Sequence, residues 1–464
     1  MLYLGSPRRK KYPLGKQDWI PVAVLVRGLH FNDVKVLREH ICYFRTKMFF
    51  QEEGSVMPRP FNKRRLGFYV SLPAVLWALS SATPLAAEPD RARALGIPFA
   101  GDPGPLNGIT DVMGVEVGHK TLISGEGPLV RGVGPIRTGV TVIHPRGKAS
   151  TEGVYGGWFT LNASGEMTGT TWLEERGLID GPIGITNTHS VGVVRDAFVG
   201  WMVDQQWPAL WHAPIVAETY DGALNDINGQ HVKSTHVFSA LAAATAGPVI
   251  EGAVGGGTGM VCNGFKGGIG TASRIVSVAD QSYVVGVLVQ CNYNWGGKSL
   301  RLGDQWVSEK LPVGEHCYTD ARITPQNPWF PYCSGADLDK DSPTRDGSII
   351  VVVATDAPIL PHQLNRLAKR PALALGRLGA ISNPGSGDIF LAFSTGNAGA
   401  INEDQFNKVE QFPNNALDTL FRGTVQATEE AIVNAMVAAE TVIGADGLRV
   451  QGLPQDKVRA LFSE

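Results

Sequence analysis

The stretch that most limits what this chain can fold into runs from Thr344 to Asp356 and reads Thr-Arg-Asp-Gly-Ser-Ile-Ile-Val-Val-Val-Ala-Thr-Asp. A polar, turn-prone run ends at Gly347, and Ser348 is followed at once by Ile349, Ile350, Val351, Val352 and Val353. Consecutive β-branched apolar residues without alternation predict a strand of a sheet covered on both faces. Ser348, at the mouth of that strand, has two readings. It is an ordinary loop serine, or a nucleophile that becomes an N-terminus when the Gly347–Ser348 bond is cut. Glycine suits such a junction because it adopts dihedrals that a Cβ would forbid. The freed α-amine, with a reference pKa of about 7.7–8.0, can act as base for its own hydroxyl.

The chain has 464 residues, 43% hydrophobic and 18% charged, which is ample for a core. Its formal net charge of −2 gives no reason to expect nucleic acid or a membrane surface as partner. The 56 glycines cluster between apolar runs and predict tight turns between strands rather than a disordered tract.

From Met57, a basic segment (Arg59, Lys63, Arg64, Arg65) precedes an apolar run, Leu66 to Leu79, too short to span a bilayer. Small residues follow, through Ala87. This is the pattern of a secretory signal peptide over 57–87, cut near Ala87–Glu88, and it implies a periplasmic or secreted protein. Residues 1–56 are basic and irregular, and are expected to be a non-native leader, with translation starting at Met57. The mature part, 88–464, then carries four cysteines, Cys262, Cys291, Cys317 and Cys333, which an oxidising compartment can pair. Cys317 and Cys333 flank a Pro-rich loop and are candidates for a loop-stapling disulfide, although spacing fixes no connectivity.

No metal-ligand spacing is visible, and no cofactor is expected. The glycine-rich block from Gly255 to Gly270 lacks Gly-Lys-Ser/Thr and does not sit in a Gly-x-Gly-x-x-Gly strand–turn–helix setting. A tight hairpin, or backbone lining a pocket, fits it better.

Strands are expected over 139–144 and 389–393, with short strands and a hairpin over 108–119; 183–194 reads as a strand leading into a helix through Trp201, and 214–222 as a strand running into a polar turn. Residues 273–278 and 283–290 read as two halves of a hairpin. Helices are expected over 172–176, 232–246, 361–378 (broken at Pro371) and 428–441. Leu364, Leu367, Leu375 and Leu378 are the buried side of the third, and Ile432, Met436 and Ala439 of the fourth, with Gly444 as its C-cap. His119 and His144 end strands and are expected at the surface or capped. From Lys298 to Arg345 periodicity is lost, which predicts a long loop presenting the Gly347–Ser348 junction. Strands and helices fall in separate runs, so the class is α+β with stacked layers rather than repeated βαβ units.

Five motifs in order carry a family likeness: Val216-Ala217-Glu218-Thr219-Tyr220-Asp221, Val254-Gly255-Gly256-Gly257-Thr258-Gly259-Met260, Val289-Gln290-Cys291-Asn292-Tyr293, Gly347-Ser348 with its strand, and Gly385-Ser386-Gly387-Asp388-Ile389-Phe390. Together, from about Asn107 to Leu448, they resemble the DmpA/BapA family of L-aminopeptidase D-amidase/D-esterases and β-peptidyl aminopeptidases. That resemblance implies a four-layer αββα sandwich like the N-terminal-nucleophile hydrolases and ornithine acetyltransferases. It further implies a precursor cut into an α chain (88–347) and a β chain (348–464), and a homotetramer of αβ heterodimers. Carried over by position, Ser348 is the nucleophile, with Ser386 and Asp388 hydrogen-bonding around it and its amine. Tyr220 and Asn292 steady the oxyanion, Asn294 remaining a rival for Asn292. Glu218 holds the free N-terminal amine of a small peptide or amide substrate.

The chemistry is coherent without the family, because acyl transfer needs a nucleophile, a base and oxyanion donors. No Gly-x-Ser-x-Gly elbow offers an alternative. A buried acid beside an ammonium also rejects substrates that leave it unpaired. Two other readings stand beside hydrolysis: acyl transfer to an amine, as in ornithine acetyltransferases, which use threonine at the junction, and an exported protein that is never cut.

Overall fold

The computed structural model describes residues 91–335, 347–399, 401 and 406–463. The expected leader and signal peptide, and the end of the 298–345 loop, lie outside the described residues.

Strands β1 (Glu116–Ser124) and β2 (Ile136–His144) pair antiparallel, and β3 (Val154–Ala163) follows. A short helix α1 (Thr170–Arg176) leads to β4 (Leu178–Ile179). Then β5 (Ile183–Asn187), α2 (Val191–Asp204) and β6 (Ile215–Thr219) form a parallel crossover, and α3 (Ser234–Ala243) comes next. The glycine-rich block makes a turn at Gly255–Gly257 and the tight hairpin β7 (Val261–Cys262)/β8 (Phe265–Lys266), as expected. The long hairpin is β9 (Gly268–Val278) with β10 (Gln281–Tyr293).

Between 298 and 335 there are only two-residue strands, β11 (Arg301–Leu302), β12 (Gln305–Trp306) and β13 (Cys317–Tyr318). A Cys317–Cys333 disulfide staples this loop, and Cys262 pairs with Cys291. Next, β14 (Gly347–Thr355) connects through α4 (Pro361–Leu367) and α5 (Pro371–Arg377) to its parallel neighbour β15 (Gly387–Ser394). The break falls where Pro371 lacks an N–H to continue the helix. Helix α6 (Leu417–Val437), β16 (Val442–Ile443), β17 (Leu448–Val450) and α7 (Gln455–Phe462) complete the chain.

Two main sheets result, one in the order β1-β2-β5-β6 and one in the order β4-β3-β15-β14-β10-β9. Strand β14 shows why they stack. Ile349, Val351 and Val353 pack with Leu364, Leu375, Ala431 and Met436 of the helices. The intervening Ile350, Val352 and Ala354 pack with Ile143, Ile185 and Ala217 of the smaller sheet. That sheet's other face, with Val140, Val142 and Val216, is covered by Val194 and Phe198 of α2 and Val237 and Leu241 of α3. The layers are therefore helix, sheet, sheet, helix: the expected αββα sandwich. Each of these strand residues is fully buried, worth about 1.5–3 kcal/mol for a Val or Ile side chain.

Four expectations are corrected. Two βαβ units occur within the layers, because β5/β6 and β14/β15 are parallel pairs. Helix α6 begins at Leu417, eleven residues before the expected start at 428, since Leu417, Leu420 and Thr424 extend its buried stripe past the charged Asp418 and Arg422. Gly444 is not its cap, because the helix ends at Val437 and the chain turns so that Val442 can pair with Val450. His144 is buried, with its ring 5.5 Å from Trp201, and burial pulls its pKa down to about 4.

Candidate active site

Ser348 is the second residue of β14 and lies directly opposite Asn292 of β10. Its Oγ accepts a hydrogen bond from the backbone N–H of Gly387, at the start of β15, at 3.0 Å. The residue is 5% exposed. Gly347 has φ +53°, and a Cβ there would lie 1.8 Å from the Asn292 carbonyl oxygen and 2.5 Å from the indole nitrogen of Trp295. Only glycine fits ahead of this serine.

Behind the serine, Ser386 Oγ donates to Asp388 Oδ2 at 2.8 Å, and both side chains are buried. Asp388 is in register with Ile349, one residue from Ser348. A register irregularity between Asp388 and Ile389, against β3, offsets this end of β15 from the regular ladder. Asn162 of β3 donates to Ser386 Oγ at 3.2 Å and to the carbonyls of Ser382 and Asn383, fixing the turn that carries Ser386.

Glu218 comes from the C-terminal end of β6 in the other sheet and is 3% exposed. One carboxylate oxygen accepts the backbone N–H of Glu166 at 3.0 Å, and the other accepts the Thr188 hydroxyl. Burial raises its pKa above the ordinary carboxylate value, against the opposing effect of those two donors. Asn292 is fully buried. Its Oδ1 accepts the Val261 N–H at 2.8 Å, and its Nδ2 donates to the Tyr220 carbonyl at 2.9 Å. Asn294 has φ +54° and donates to Asn263 Oδ1 at 2.9 Å.

A cavity of about 510 Å³ brings these pieces together, with Ser348, Gly347, Glu218, Tyr220, Glu166, Thr188 and Trp295 among its walls. Ser386 and Asp388 line a separate cavity of about 190 Å³, together with Asn294. Asn292 lies between strands, paired with Ser348 on one side and tied to Tyr220 on the other. Of the expected site residues, Ser348, Glu218 and Tyr220 therefore share one chamber, Ser386 and Asp388 stand behind the serine, and Asn292 is nearer to it in register than Asn294. His189 is exposed and does not line the chamber. Among the described residues, no group of three or more His, Cys, Asp or Glu is placed to hold a metal ion.

Asn162, Thr188, Glu166 and the aromatic wall were not singled out from sequence. Trp295 and Trp329 lie 5.9 Å apart, and Trp329 lies 6.4 Å from Tyr220, so the 298–335 loop backs the chamber with an indole. Thr188 and Glu166 flank Glu218 only through sheet packing, and no local sequence signal marks them.

Solved structures and known proteins are similar to this chain along nearly their whole length. The L-aminopeptidase D-Ala-esterase/amidase of Ochrobactrum anthropi, described as a prototype for the serine aminopeptidases and a variant of the Ntn hydrolase fold, is 43% identical with a TM-score of 0.69, over 80% of this chain and 97% of that one. A β-aminopeptidase from Burkholderia sp. is 45% identical with a TM-score of 0.67, covering 80% and 97%. The β-peptidyl aminopeptidase BapA of Sphingosinicella microcystinivorans is 54% identical over 400 residues, 85% of this chain and 98% of that protein. Fold and likeness thus define a serine aminopeptidase of the N-terminal-nucleophile type. The chain belongs to Peptidase family S58, whose model matches residues 107–450.

Proposed function

We propose that the exported precursor cuts itself between Gly347 and Ser348, and that Ser348 then releases N-terminal residues from small peptides and amides through an acyl-enzyme. The observation that carries this reading is the shared chamber. A serine that follows a glycine in a left-handed conformation faces the same space as a buried carboxylate. The substrate ammonium pairs with Glu218, which sets the scissile carbonyl at a fixed reach from that carboxylate. Ser348 Oγ attacks the carbonyl carbon while its own α-amine takes the hydroxyl proton. Asn292 spends one amide N–H on the Tyr220 carbonyl and has a second for the oxyanion, which the Tyr220 hydroxyl also steadies. The α-ammonium returns its proton to the leaving amine, and water then hydrolyses the ester. Ser386 and Asp388 hold the amine and the serine in line.

Similarity to β-peptidyl aminopeptidases supports a substrate whose first residue is a β-amino acid, and the signal-peptide pattern supports a periplasmic or secreted location. The assembly we assign is a homotetramer of αβ heterodimers. The test is intact mass and N-terminal sequencing of wild type beside Ser348→Ala. Two fragments in wild type, one beginning Ser-Ile-Ile-Val, with an uncut variant, are expected. A folded, uncut and inactive wild type would end this mechanism.

A further inference from the structure

Three features near the chamber are not used by the mechanism above: the buried lysine Lys266, the small cavity behind Ser386, and the buried Cys262–Cys291 bond. The last carries an argument furthest. Cys262 and Cys291 are both fully buried, and each is the chain neighbour of a residue in the Asn292 contact. Val261, before Cys262, donates its N–H to Asn292 Oδ1, and Asn292 follows Cys291. One step further, Asn263 donates its backbone N–H to the Tyr293 carbonyl at 2.8 Å and its side-chain amide to the Tyr293 hydroxyl at 3.1 Å. Each of residues 261–263 thus meets one residue of 291–293, Val261 with Asn292, Cys262 with Cys291 and Asn263 with Tyr293, and the middle one of the three contacts made by 261–263 is covalent. Close approach is built in at Gly267, where a Cβ would lie 2.4 Å from the Cys291 carbonyl and 2.6 Å from Cys262 Cβ.

β7 is only two residues long, and its one strand partner is β8. A hairpin so small has few ladder bonds to fix its distance from β10. Without the crosslink, the Val261 N–H that orients the Asn292 amide is held by hydrogen bonds and by the packing of Val261 and Phe265, with no covalent tie to β10 at this point.

We infer that the Cys262–Cys291 disulfide is a positioning element of the acyl-transfer site. It holds β7 against β10 so that the Asn292 amide points at the Ser348 carbonyl-attack position. The inference rests on the reading of Asn292 as an oxyanion donor. It deepens that reading by making both self-cleavage and turnover depend on the oxidation state of this pair. Closing the bond removes two thiol protons and two electrons, which pass to a disulfide-bearing oxidant that leaves as a dithiol. Because both sulfurs are buried, the exchange takes place during folding, before the sheets close. A chain folded where thiols stay reduced would keep the fold and lose the alignment.

The experiment compares three proteins purified as full chains: wild type, Cys262→Ala/Cys291→Ala and Asn292→Ala. Each is followed for self-cleavage and for kcat and KM on β-alanyl and L-alanyl p-nitroanilides, below the unfolding midpoint. Removing one oxyanion donor costs about 100- to 1000-fold in kcat, so a loosened one is expected to cost about tenfold or more, with KM little changed. Cys317→Ala/Cys333→Ala protein refolded with dithiothreitol, against the same protein refolded with oxidised glutathione, repeats the comparison at the remaining pair if the first double variant does not fold. Equal kcat and equal cleavage in the reduced and oxidised proteins would overturn the inference, as would two free thiols at Cys262 and Cys291 by alkylation and mass of the active enzyme. Full kcat in Asn292→Ala would instead overturn the oxyanion reading beneath it, so the two failures are distinguishable.

Discussion

Replacing Glu218 by Gln tests the chamber most directly, because the change keeps shape and removes one charge. The amide oxygen can still accept the Glu166 N–H, and the Thr188 hydroxyl can rotate to accept from the amide nitrogen. What is lost, on the function proposed above, is the pairing with a substrate ammonium in a site 3% exposed. Losing one partner of a buried, hydrogen-bonded charge pair costs about 2–4 kcal/mol, roughly 30- to 1000-fold in kcat/KM. The assay is kcat/KM on a free-amine substrate and on its N-acetylated analogue, in both proteins. Wild type should discriminate strongly between the two, and the variant should lose most of that discrimination.

Stability supplies a second readout with a definite sign. Burial raises the folded-state pKa of Glu218, so the stability this group allows is fully present below the unfolded value of 4.5 and is lost as pH rises through the folded one. Glu218→Gln should therefore unfold at a higher temperature than wild type at about pH 8, and the gap should close as pH falls toward about 4. A variant within about threefold of wild type on the free-amine substrate would refute the reasoning, since it is asked to lose at least about 2 kcal/mol.

Gly347→Ala would drive a methyl group to 1.8 Å from the Asn292 carbonyl, so β14 must shift at its first residue. Slowed or absent cleavage of a less stable precursor is expected, read by gel and by thermal unfolding. Cys317→Ala/Cys333→Ala opens a loop with a sequence separation of 16, which should cost about 3 kcal/mol in denaturant unfolding. Lys266 is fully buried, with its Nζ donating to the Gly257, Met260 and Gly267 carbonyls and its pKa pulled from 10.5 down to about 7. The unfolded chain binds the extra proton between those values, so wild-type stability relative to Lys266→Met should rise from pH 7 to pH 10.5 and be flat below. A flat difference across that window would contradict the burial argument.

The elements read most cleanly were those in which one stretch of sequence carries the whole signal. Ile349 to Val353 announce a two-sided buried strand because no polar residue interrupts them. Pro371 announces a break because its ring imposes one. Leu364, Leu367, Leu375 and Leu378 are all buried, as their spacing requires. Other features depend on register between distant strands. Asn162 reaches Ser386 only because β3 lies beside β15, and Thr188 reaches Glu218 only because β5 lies beside β6. The pairing of Cys262 with Cys291 was equally closed to sequence, since the two meet through a hairpin and a strand rather than through a spacing. At the start of α6, Asp418 and Arg422 interrupt the apolar pattern on the solvent side and obscure a buried stripe that is continuous in space.

The strand order β4-β3-β15-β14-β10-β9 places the two strands after residue 347 in the middle of the sheet, flanked on both sides by strands from before it. A chain nicked at that point has the geometry of an arch with its keystone in place. Neither piece can leave without tearing ladders on two sides, and neither can complete its own sheet alone. Ser348 also meets Gly387 and Asn292 only once β15 and β10 have both closed on β14. A cut made by this serine would therefore act as an inspection stamp, placed only on molecules whose assembly is finished.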